Sequence, residues 1–226
     1  MALLDYLDLA SPGSLVDAPR RWALLGTVRS HTLVSKSKLS RLYSLARRIE
    51  RNAIPGAIVE CGVYKGGSAA LLAAASRRSR PVWLFDSFKG LPPPGEKDGV
   101  QAHELFHEGW CGSTLDDVRE IMDRVGIDRD RVHAVEGWFE ETLPERAPET
   151  IALLHIDADW YDSVKTCLDR LYDRVAPGGF VVWDDYGRWE GCTRAVDEFL
   201  EAQDLSRALE RAHFIRKPVR AGAGRL

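Results

Sequence analysis

Cysteine is scarce: four residues, at 61, 111, 167 and 192, in a chain of 226. None forms a Cys-x-x-Cys pair, so a zinc site of the usual spacing is not expected. So few cysteines in so long a chain do not make a disulfide framework either. Cys61 and Cys167 lie in apolar stretches and read as small core residues. No window holds 18 consecutive apolar residues, so no membrane-spanning helix is expected. The opening run MALLDYLDLASPG has acids among its apolar residues and no basic leader, so no signal peptide is expected. Both readings lead to the expectation of a cytoplasmic protein. Neither charge dominates: 31 basic residues face 34 acidic ones, a net charge of -3, which argues against a dedicated nucleic-acid binder. What is present is ordinary. With 45% hydrophobic and 29% charged residues, the chain is too apolar for disorder and long enough to bury a sizeable core.

The order of the residues says more. From about residue 57, short apolar runs alternate with helical patterns. Ala57–Val63, Val82–Asp86, Val132–Glu136, Ile151–Ala158 and Phe180–Trp183 read as strands. Ser68–Arg78, Asp116–Val125, Asp162–Val175 and Cys192–Leu200 read as helices, with Pro177-Gly178-Gly179 expected to end the third. The alternation predicts an α/β fold, a mostly parallel sheet with helices on both faces. The first 52 residues differ, with helical patterns over Leu3–Leu9 and Lys38–Arg51. The expected organisation is a helical lid or appendage over 1–52, offering apolar faces for a homodimer contact, and a sheet domain over 53–226.

The first strand runs directly into Glu60-Cys61-Gly62-Val63-Tyr64-Lys65-Gly66-Gly67-Ser68, and Ser68 is placed to cap the next helix. Ligands of open α/β sheets bind at the carboxyl ends of the strands. Glycines there admit a ligand close to the backbone, and a helix N-terminus favours an anionic group. The spacing Gly-x-x-x-Gly-Gly departs from the dinucleotide pattern Gly-x-Gly-x-x-Gly. The second strand ends in Asp86, followed by Ser87, where an acid typically accepts hydrogen bonds from ribose hydroxyls. Loop and acid together point to a nucleoside ligand.

Two further strands end in acids: His155-Ile-Asp157-Ala-Asp159-Trp160, and Trp183-Asp184-Asp185-Tyr186. If these strands are neighbours they lie about 4.8 Å apart, and Asp157 approaches Asp184 and Asp185. Uncompensated carboxylates at that separation repel. A divalent cation relieves the repulsion, and an oxygen-only ligand set suits Mg²⁺. Asp162 reads as the cap of the following helix.

The strings IVECGVYKGGS, LFDSFKGLPPP, GWFEETLP, HIDADWYDS and GGFVVWDDYG with GCTRAVDEF, in that order over about residues 33–200, resemble the macrocin O-methyltransferase family. These are class I S-adenosylmethionine-dependent enzymes that methylate sugar hydroxyls. The resemblance implies a Rossmann-like sheet of seven strands, the last antiparallel, and Mg²⁺ held by Asp157, Asp184 and Asp185. It implies that Glu60, Gly62, Tyr64, Lys65, Gly66 and Ser68 hold the methionine end of the cofactor. Asp86 and Ser87 would hold the ribose, Gly137 and Trp138 would flank the adenine, and Asp157 would also touch the cofactor. Asp159 matches a position proposed as general base, and a histidine, His107 or less well His103, is also implicated. The implied acceptor is a sugar or glycoside, a deoxysugar of an antibiotic or a mannoside. The region that shapes the acceptor pocket matches only loosely, through HTLVSKSKL. A catechol-type acceptor is a rival reading, as is a binding module without activity. Tyr161 and Lys165 match the YxxxK pair of NADP-dependent short-chain dehydrogenases, but the strand before them ends in acids, so Lys165 reads as a solvated helix residue.

Overall fold

The computed structural model describes residues 18–209 and 213–219, and the helical pattern over Leu3–Leu9 lies outside them. Among the described residues two α-helices come first, α1 (Ala18–Val28) and α2 (Lys36–Arg51). Ser35 starts α2, its hydroxyl accepting the Lys38 N–H. The alternation follows: β1 (Ala57–Cys61), α3 (Gly67–Ala75), β2 (Val82–Asp86), α4 (Gly99–Leu105), α5 (Leu115–Val125), β3 (Val132–Glu136) and α6 (Phe139–Arg146). Then come β4 (Ile151–Ile156), α7 (Tyr161–Leu171), β5 (Val175–Trp183), α8 (Glu190–Ala202) and β6 (Phe214–Arg216). The sheet order is β3-β2-β1-β4-β5-β6, with every pair parallel except β5–β6. Among the described residues the sheet has six strands, one fewer than the seven expected. The expected antiparallel final strand is β6, paired directly with β5.

Burial explains the order. Every residue of β1 and β4 is buried, as central parallel strands covered on both faces must be. Neighbouring residues of β1 serve opposite layers. Ile58 joins a core built with α1, α2 and α3 (Val28, Leu42, Ile49, Leu72), while Val59 joins one built with α7 and α8 (Val164, Leu168, Val196). α3 is apolar on all sides and buried along its whole length. It fits there because Gly67 has no side chain: a Cβ would lie 2.8 Å from the backbone of His31 and Val28. The two N-terminal helices therefore pack into the core of the sheet.

Three local expectations fail for identifiable reasons. Pro177-Gly178-Gly179 does not terminate a helix. α7 ends at Leu171, and the Pro-Gly-Gly run lies within β5 as an irregularity opposite Ile151–Leu153. Gly178, at φ +81, turns its N–H onto Lys217 O, away from the β4 ladder. Ser68 does not cap α3, because Gly66 takes that position in the left-handed region. Asp162 does not cap α7. The buried carboxylate of Asp98, from the segment before α4, instead accepts the Tyr161 N–H at 2.6 Å.

Candidate active site

The parallel ladder continues one residue past several strands, and this sets the functional loops on one edge. Gly137 N–H donates to Asp86 O, Gly62 N–H to Phe85 O, Asp157 N–H to Cys61 O and Asp184 N–H to Ile156 O, at 2.9, 2.9, 2.9 and 3.0 Å. The first residue of each loop thus keeps strand geometry and delivers the next residues to a common crevice. At Gly62 (φ +84) a Cβ would lie 1.8 Å from Asp157 O, so only glycine lets these two loops meet.

Asp86 organises the glycine loop. One carboxylate oxygen accepts the N–H groups of Val63 and Tyr64 at 2.6 and 3.0 Å, and the other accepts Phe88 N–H at 2.8 Å. Burial pushes its carboxyl above the usual value, against these hydrogen bonds. Tyr64, Phe88, Cys111 and Asp159 all carry φ between +48 and +63, and all lie in loops around this edge. Such strained backbone concentrates at functional sites.

The carboxylates meet as expected. Ligand oxygens of Asp157, Asp184 and Asp185 all lie within 4.8 Å of one another. Burial, and then the charges of Asp185, Asp184 and Asp159, push Asp157 well above the usual carboxylate range. Burial and then Asp185 do the same to Asp159, while Trp189 and Arg188 pull it down. Asp185 is raised by burial and then by Asp184. Its buried Oδ2 finds no donor among the described residues. Lys38 is a residue the sequence reading did not single out, and its Nζ donates to Asp184 O at 2.6 Å and Asp184 Oδ2 at 2.9 Å.

A cavity of about 780 Å³ opens over these groups. Of the expected residues, Gly62, Tyr64, Ser68, Asp86, Ser87, Gly137, Trp138, Asp157, Asp159, Asp184 and Asp185 line it. Four do not. Glu60 points into the sheet interior, fully buried, with Oε1 2.8 Å from Nδ1 of His155, its neighbour in the β1–β4 register. Lys65 folds over the Tyr64 ring at 5.6 Å, and Gly66 packs on Val118 and Ile121 of α5. His107 is exposed and stacks on Trp110, with ring centroids 5.6 Å apart. His103 bonds Gly95 O at 3.0 Å, also outside the cavity lining. The YxxxK pair falls away as well: Lys165 pairs with Asp169 on the surface, and the Tyr161 hydroxyl bonds Glu198.

Other cavity residues include three from HTLVSKSKL, the loosely matching segment expected to shape the acceptor pocket. Thr32, Leu33 and Val34 form one wall just ahead of α2, and Leu33 is 62% exposed. Trp110, Trp160 and Trp189 meet edge-on, with centroids 5.2–6.2 Å apart. The Trp160 indole N–H is fixed on Pro92 O at 2.8 Å.

A parallel sheet with a glycine loop after β1, an acid ending β2 and the ligand crevice at the carboxyl edge is a Rossmann-like architecture, the kind class I methyltransferases share. The sequence profile described as macrocin-O-methyltransferase matches residues 14–215, so the chain belongs to that family and is an O-methyltransferase. The 8-demethyl-8-(2,3-dimethoxy-alpha-L-rhamnosyl)-tetracenomycin-C 4'-O-methyltransferase of Streptomyces olivaceus is 34% identical over 177 residues, covering 75% of this chain and 67% of that protein. The mycinamicin III 3''-O-methyltransferase of Micromonospora griseorubida is 31% identical over 186 residues, covering 78% of this chain and 73% of that one. Among solved structures, the O-methyltransferase NovP aligns with a TM-score of 0.76 at 28% identity, covering 84% of this chain and 83% of that one.

Proposed function

We propose that the protein transfers a methyl group from S-adenosylmethionine to a hydroxyl of a sugar or glycoside, with Mg²⁺ bound at Asp157, Asp184 and Asp185. The observation that carries this reading is the convergence of the three carboxylates within 4.8 Å beside the glycine loop. The residues fit such an ion: the donors are all oxygens, and Asp185 Oδ2 is buried without a partner. The cavity volume is also in the range of small-ligand sites. One named relative is a 4'-O-methyltransferase of a rhamnosyl-tetracenomycin, which supports a sugar-bearing acceptor here.

When bound, S-adenosylmethionine supplies an activated methyl group and Mg²⁺ lowers the pKa of a hydroxyl held against it. The chain's own residues do the rest. Gly62 and Tyr64 shape the loop that receives the amino-acid end of the donor. Ser87 and Asp86 stand at the end of β2 for its ribose, with Gly137 and Trp138 beside them. Asp159, raised by burial and by Asp185, lines the cavity, where its carboxylate can accept the acceptor's proton. The tryptophan cluster and the Thr32–Val34 wall exclude water and give the sugar ring an apolar face. His107, outside the cavity, supports Trp110.

Asp157→Asn separates the roles. It should abolish methyl transfer while leaving S-adenosylhomocysteine binding within a few-fold of wild type by calorimetry. Loss of binding with transfer intact at saturating donor would assign Asp157 to the cofactor instead.

A further inference from the structure

The cavity wall and the carboxylate cluster are joined by one side chain. Thr32, Leu33 and Val34 line the cavity, Ser35 caps α2, and Lys38 in the first turn of α2 reaches 146 positions along the chain to Asp184. The ammonium is held twice, by Asp184 O at 2.6 Å and Oδ2 at 2.9 Å. It approaches from the α2 side, while Arg188 bears on Asp159 and Asp185, and Arg41 also lies within electrostatic reach of Asp184. The cluster therefore already contains a cation, bonded to one of the three carboxylates that converge within 4.8 Å. The partnerless, buried Asp185 Oδ2 shows that this cation does not satisfy the cluster by itself.

We propose that Lys38 is a built-in competitor for the divalent cation: it holds Asp184 until an ion at the carboxylates takes its place. The inference rests on the metal reading above. Two cations on one carboxylate repel, so occupancy by the ion weakens the lysine clamp. By linkage, the clamp weakens ion binding by the same factor.

The test uses the full chain, with Mn²⁺ as the probe, followed by electron paramagnetic resonance and calorimetry. Lys38→Met should bind Mn²⁺ on the order of tenfold tighter than wild type, and Lys38→Arg, which keeps the charge, should stay close to wild type. Thermal melts of both variants establish that they fold. Hydrogen exchange reads the first turn of α2 through the amides of Lys38 and Leu39, which bond to Ser35. Mn²⁺ should speed their exchange in wild type and leave Lys38→Met unchanged. Equal or weaker Mn²⁺ binding by Lys38→Met, or slower exchange in wild type on loading, overturns the competition while the metal reading stands. If neither protein binds Mn²⁺, the metal reading fails and the competition falls with it.

Discussion

Asp86 is the sharpest place to separate scaffold from ligand contact. Its two carboxylate oxygens accept three backbone N–H groups, two on one oxygen and one on the other. In Asp86→Asn the amide has only one acceptor oxygen. It serves Val63 and Tyr64 or it serves Phe88, and the NH₂ group then opposes the remaining donor. A lost hydrogen bond with an opposed buried donor costs about 1–3 kcal/mol. Burial disfavours the native charge here, so the neutral amide recovers part of that cost. The expected loss is therefore about 1–2 kcal/mol, which for a chain of this size lowers Tm by roughly 2–8 °C. The same change frees the loop after β1, so affinity for S-adenosylhomocysteine should fall about tenfold or more by calorimetry, as 1.4 kcal/mol is a factor of ten. Differential scanning calorimetry of the ligand-free protein reads the first effect separately. An unchanged Tm with lost affinity would refute the scaffold argument and leave Asp86 a ligand contact only. An unchanged Tm with unchanged affinity would refute both roles.

Other outcomes follow from the same geometry. Gly62→Ala places a Cβ 1.8 Å from Asp157 O at φ +84, so it should destabilise the fold by about 3 kcal/mol or more, read by urea denaturation. Glu50 pairs with the fully buried Arg80 guanidinium. Burial raises the Glu50 carboxyl, but the hydrogen bond and charge of Arg80, together with Arg77, outweigh it and hold it below its ordinary 4.5. A lowered carboxyl contributes stability above its unfolded value and loses it as the pH falls through the folded one. Glu50→Gln should thus cost about 3 kcal/mol at pH 7, with the gap to wild type narrowing as the pH falls below 4.5, read by denaturation across pH.

Much of this site was legible because alternating strands and helices force one outcome. In a parallel sheet every βα loop leaves from the same edge, so Asp86, Asp157, Asp184 and Asp185, each placed at a strand end, had to converge. The neighbouring of β4 and β5, on which the carboxylate argument depended, is what the sheet has. Glu60 shows where this reasoning stops. It sits in the last turn of pleat before the loop, and whether it faces the crevice or the interior depends on its register partner, His155, 95 positions away. Pro177-Gly178-Gly179 reads locally as a terminator, yet Lys217, just past β6, supplies a partner for the turned-out Gly178 N–H, and the strand continues. Lys38 was invisible for the same reason as Glu60: nothing near it in the chain hints at an acid 146 positions on.

The most direct measurement is mass spectrometry of methyl transfer from S-adenosylmethionine across a panel of glycosides and catechols, in Mg²⁺ and in chelator. The account predicts one methyl added to a glycoside hydroxyl in Mg²⁺, lost in chelator and regained when Mg²⁺ is restored. Full transfer in chelator, or methylation of the catechols alone, would contradict it.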